Sequence, residues 1–129
     1  MKTHQKNFLV GALLLPVCAL TFSLPASAQE APLSHIASPE VYKLIAENSQ
    51  FRVFLATWKA GQGDKLHSHS PSVVYHLTDC RAQIAGPSGK VLGEGESKAG
   101  KVGLQDAIAA HTFNNTGTTD CQILIVERK

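Results

Sequence analysis

Gly61-Gln62-Gly63-Asp64-Lys65-Leu66-His67-Ser68-His69 is the stretch on which the reading of this chain turns. Its front half is a turn signal, because glycine supplies backbone conformations that other residues resist. Its back half is short and polar, and it ends at Ser70-Pro71. If His67 to His69 is extended, the two imidazoles point to the same face, since strand side chains repeat every two residues. Neutral imidazole is a favoured ligand for late first-row metals, and a third histidine from a distant segment completes one coordination face. His111 is such a residue, and Asn115 follows it closely.

Outward from this stretch the chain reads as short strands. Phe51 to Trp58 is rich in aromatic and β-branched residues, and Ser72 to Leu77 and Cys80 to Ala85 follow the histidines. Gly86-Pro87-Ser88-Gly89 is a hairpin loop, after which Val91–Ser97, Val102–Leu104, His111–Phe113 and Gln122–Glu127 are further strand candidates. Many short strands with almost no helix-period stretch predict an antiparallel sandwich or barrel. Val41 to Glu47 is open. Ser38 and Pro39 would start a helix there, and Val41, Leu44 and Ile45 have helical spacing.

The two histidine segments resemble the motifs of the cupins, small β-barrels with a first motif G-x5-H-x-H-x3,4-E-x6-G and a second G-x5-P-x-G-x2-H-x3-N. Gly61, His67 and His69 fit the first half of motif one. Gly100, His111 and Asn115 fit motif two at the same offsets. The departures are equally specific. The glutamate slot falls at Val73 or Val74, the closing glycine at Cys80 or Arg81, and the proline and glycine of motif two at Asp106 and Ile108. The resemblance runs from about Val41 to Glu127. It implies an all-β, antiparallel jelly-roll barrel in one domain, residues 41–129, and a strand at Val41–Glu47.

The resemblance also implies a site: one divalent transition metal held by His67, His69 and His111. Without the motif glutamate, three neutral imidazoles leave the ion its full double charge. That ligand set favours iron, zinc, copper or nickel over harder ions, and leaves positions open for water or an anion. Three-histidine cupins of the thiol- and diketone-dioxygenase kind are the precedent. The functions implied are an oxygenase-type enzyme acting on a small anionic molecule, a non-catalytic module binding a metal or small molecule, or a fold that has lost its chemistry. No general acid or base can be named. If Val74 faces inward, His76 does too; if Val73 does, His76 points away. Gln105 and Asp106 are candidates for supporting the third histidine, and Asp106 is also a candidate fourth ligand. Asn115, Gly61 and Gly100 read as turn residues, and His35 as a bystander.

Residues 1–28 read as a cleaved export signal: Lys2 and Lys6, an apolar run from Phe8 to Leu20, and Ala26-Ser27-Ala28 as cleavage site. Val17 is a poor neighbour for a lipidated Cys18. Residues 29–40 read as a flexible segment. The chain carries 12 Lys and Arg against 10 Asp and Glu. Losing Lys2 and Lys6 evens the two, which argues against nucleic acid or a membrane surface as partner. The expected partner is a small-molecule ligand or substrate, and a homodimer is open to the chain. The expected compartment is periplasmic or secreted. There an even pair of cysteines, Cys80 and Cys121, favours a disulfide. The resemblance adds that the last strand lies beside the one after the H-x-H hairpin, bringing the two cysteines close.

Overall fold

The computed structural model describes residues 30–129; the export-signal reading lies outside them. The described residues form nine strands and one four-residue helix. In chain order these are α1 (Ser34–Ala37), β1 (Tyr42–Glu47), β2 (Phe51–Trp58), β3 (His67–His69), β4 (Ser72–His76), β5 (Cys80–Ala85), β6 (Val91–Ser97), β7 (Val102–Gln105), β8 (Ile108–Asn115) and β9 (Cys121–Arg128). Val41 to Glu47 is thus a strand from Tyr42 on, not a helix. Its pairing with β2 outweighs local spacing.

The strands form two hydrogen-bonded sheets, one in the order β1-β2-β9-β4-β7 and one in the order β3-β8-β5-β6. Every pairing between named strands is antiparallel. The jelly-roll expectation holds, with one refinement: the sheets face one another without closing into a continuous barrel. Parity along each strand sorts residues between core and solvent. On β2, Phe54, Ala56 and Trp58 are buried, and on β9 Cys121, Ile123, Ile125 and Glu127 are. On β4, Ser72 and Val74 are buried while Val73 and Tyr75 are exposed.

Cys80 and Cys121 are joined in a disulfide. As the resemblance implied, the last strand, β9, lies beside β4. Cys80, however, is not on β4: it opens β5 in the opposite sheet, so the bond staples the two sheets together. Closing 41 residues of separation stabilises the fold by about 4 kcal/mol in the chain-entropy account.

The segment read as flexible is instead built into the fold from Ala31 on. β3 pairs on one side with β8 and needs partners for its other edge. The stretch before α1 supplies them: Leu33 bridges Ser68, the Ser68 amide donates to the Pro32 carbonyl (2.9 Å), and the Ser68 hydroxyl donates to the Ala31 carbonyl (2.8 Å). His35 stacks on Phe54 with ring centroids 5.0 Å apart and is not a member of the histidine cluster.

Candidate metal centre

His67 and His69 lie on β3, and His111 lies opposite on β8, where it is paired with His67. The sequence put these three together, and the fold does so: one ring nitrogen from each falls within 4.8 Å of the others, and all three residues are buried. β8 is longer than expected, running to Asn115, and its register places His111 across from the H-x-H pair.

For His67 and His69 the hydrogen bonds decide which ring nitrogen faces the cluster. His67 Nδ1 lies 2.7 Å from the Lys65 carbonyl, which can only accept, so Nδ1 carries the proton. His69 Nδ1 meets the Glu127 carboxylate, which likewise accepts. Both Nε2 atoms are then bare lone pairs, and they face each other at 2.9 Å. Two lone pairs at that spacing repel unless a cation lies between them. Two nitrogens bound to one ion at about 2.0–2.1 Å and at a right angle are roughly 2.9 Å apart. His111 Nδ1 has no hydrogen-bond partner among the described residues. Burial, reinforced by His67 and His69, pushes the His111 pKa down from 6.5 to about 3. Burial also lowers that of His67. Neutral imidazoles at neutral pH are what metal ligation requires. The donor set fits a divalent ion.

Three residues around the cluster escaped the sequence reading. Glu127 is fully buried at 0% exposure and holds His69. Asp64, read as a turn residue, has a buried side chain. It accepts from the Tyr42 hydroxyl (2.8 Å), Trp58 Nε1 (3.0 Å) and the Phe113 amide (2.7 Å). Tyr42 is the third: its hydroxyl lies 3.0 Å from His67 Nε2, and burial, with Asp64 beside it, raises its pKa well above the ordinary value. For Glu127 a signal existed, since it continues the inward alternation Cys121, Ile123, Ile125. For Tyr42 the segment's own ambiguity hid it.

The remaining candidates sort by register. Val74, 4% exposed, takes the inward slot of the absent glutamate, and Val73 faces solvent. His76, two residues on, therefore turns inward and lines a cavity of about 550 Å³ that also reaches His69 and His111. Burial, and then Lys101, lowers the His76 pKa. Gln105 lines the same cavity and sits 3.3 Å from the Ser72 hydroxyl. Asp106 is exposed and outside the histidine group. Asn115 is not a free turn residue. It ends β8 with negative φ, fully buried, while Gly61 and Gly100 have the positive φ values of turn formers, 73° and 85°.

No protein-family model matches the chain, and no curated protein does. Solved structures do. A cupin domain from Bordetella pertussis Tohama I superposes with a TM-score of 0.62 at 18% identity, over 78% of this chain and 97% of that one. This chain has the cupin fold. An RmlC-like cupin family protein with a double-stranded β-helix fold, from Methanocaldococcus jannaschii, is similar at TM-score 0.55 and 9% identity, over 68% of this chain and 78% of that one. A conserved double-stranded β-helix protein from Klebsiella pneumoniae gives 0.53 at 16% identity, over 68% and 75% of the two chains. At these identities the likeness carries the cupin architecture and not an activity.

Proposed function

We propose that this cupin is an exported protein that binds one divalent transition ion through His67, His69 and His111 and presents it to a small anionic molecule. The observation that carries the reading is the pair of bare Nε2 atoms 2.9 Å apart. Iron, zinc, copper and nickel are the ions this all-imidazole set suits. Bound there, the ion supplies Lewis acidity and, for iron or copper, the redox capacity that oxygenase-type chemistry needs.

The cavity supports a ligand with an apolar body and an anionic head. His69 and His111 line it, so the open side of the centre faces into it. Val74, Ile123, Ile125 and Phe113 form apolar wall, which excludes water and strengthens charge interactions inside. Lys101 and His76 add a cation and a polar ring to the lining, and Glu94 and Glu96 stand on the β6 side of it, so the anionic head is directed to the metal and Lys101 and away from β6. Export is supported by the disulfide and by the leader pattern. Among the described residues, no helix is long and apolar enough to cross a membrane.

Elemental analysis and calorimetry on the purified protein test the reading. One ion per chain is expected, lost in each of His67→Ala, His69→Ala and His111→Ala and retained in His35→Ala. Full affinity in His111→Ala would sink the three-ligand centre. Small carboxylates should perturb the spectrum of the copper-loaded protein; an unchanged spectrum removes the anion from the proposal. Mass spectrometry of such a ligand over time separates turnover from storage.

A further inference from the structure

We infer that Glu127 is the carboxylate of this metal centre, delivered through His69 rather than by direct ligation. The inference rests on the three-histidine reading and deepens it. β9 presents Cys121, Ile123, Ile125 and Glu127 to the interior, so an apolar inward row ends in a carboxylate at 0% exposure. Burying an ionised carboxylate is costly unless charge and hydrogen bonds compensate. Among the described residues no lysine or arginine forms an ion pair with it. Its Oε1 meets His69 Nδ1, and its Oε2 has no hydrogen-bond partner among them. His35 is near enough for its charge to interact with Glu127 but makes no hydrogen bond to it, so the hydrogen-bonded route for compensating charge is His69.

The contact does two things at once. Accepting the Nδ1 proton holds His69 in the tautomer whose Nε2 lone pair faces His67 Nε2. Such outer carboxylates orient a ligating imidazole and make it more basic. The second effect is on charge. Three imidazoles leave a divalent ion at +2, and Glu127 brings the centre's balance to +1. A ligating glutamate at Val74 would give the same balance while occupying a coordination position. Here the inward slot is valine and the carboxylate stands behind His69, so the charge is reduced with the cavity side left open. The centre then has room for a ligand that chelates through two atoms.

The test uses the full chain loaded with cobalt(II), in wild type, Glu127→Gln and Glu127→Ala. Metal affinity is read by competition with a chelator, and azide affinity from the visible spectrum. The ring Nδ1 protons are read as shifted exchangeable proton resonances. His67, held by the Lys65 carbonyl, is the internal reference. Glu127→Ala should weaken metal binding about 10–100-fold and shift or lose the His69 signal while the His67 signal stays. Glu127→Gln, whose amide oxygen still accepts, should keep the His69 signal, bind metal less tightly than wild type, and bind azide more tightly. If Glu127→Ala does not fold, Glu127→Gln alone carries the decision. Unchanged metal and azide affinities in Glu127→Gln overturn the inference, as does weaker metal binding with no gain in azide affinity, which marks mere packing support. Wild type taking up no cobalt would overturn the three-histidine reading itself, and this inference with it.

Discussion

Asn115 sits at the end of β8 with its side chain committed to backbone on three sides. Nδ2 lies within hydrogen-bond reach of the Trp58, Lys59 and Thr119 carbonyls at 3.2, 3.1 and 2.8 Å, and Oδ1 accepts from the Gly117 amide at 3.0 Å. One amide thus ties β2, the Lys59 turn and the β8–β9 loop together. Deleting it leaves buried backbone groups unpaired. Asn115→Ala should therefore cost about 2–4 kcal/mol, since each unsatisfied buried group costs on the order of 1–3. Urea unfolding checks this: the midpoint should fall with the slope unchanged. Asn115→Asp, which turns a donor into an acceptor facing carbonyls, should not restore it. The motif offset marked Asn115 as special, but the side-chain bonds that explain it involve Trp58 and Lys59, which sequence spacing could not associate with it.

β5 and β9 begin at the two ends of the disulfide and belong to different sheets. Opening the bond therefore loosens the contact between layers rather than a pairing within one. Unreduced protein, denatured without reductant, should show no labelled thiol at Cys80 or Cys121. Reduction, or the Cys80→Ala/Cys121→Ala double variant, should lower the melting temperature by roughly 15 °C or more, from the chain-entropy term and the usual melting entropy of a domain this size. Two free thiols in unreduced protein would refute it. β3 makes a complementary point. It is three residues long and would be a weak edge alone, yet residues 31–33 cover its open side. The composition of that segment suggests a loose lead-in, because the bonds that anchor it are made by its backbone and leave no mark on residue type.

Across the whole molecule, the histidine cluster makes stability respond to acid. In the metal-free fold His111 has its pKa lowered from 6.5 to about 3, and His67 is lowered as well, chiefly by burial. Below pH 6.5 the unfolded chain takes up protons at these positions that the folded chain refuses. The contribution is fully present above 6.5 and is lost as pH falls from there toward 3. Melting temperatures of the apoprotein should hold from pH 8 to 7 and then fall as pH drops below 6.5. His111→Gln should flatten the fall. Saturating zinc should raise the melting temperature of wild type at neutral pH by mass action and should not raise that of His111→Ala. No gain in wild type, or an equal gain in His111→Ala, would contradict ligation by these histidines.

The strand content, the jelly-roll class and the three converging histidines were legible in the sequence. Each follows from local facts: two-residue parity at His67 and His69, the turn glycines Gly61 and Gly100, and fixed offsets to His111 and Asn115. Tertiary structure alone decided what stands around them. Whether Val73 or Val74 faces inward, and His76 with it, is a one-residue choice set by pairing of β4 with β9 and β7. The carboxylate on His69 comes from 58 residues away, and the hydroxyl beside His67 from 25. Spacing reports only neighbours along one strand. Charge compensation in a buried site is a matter of distance through space, which sheet order and register create.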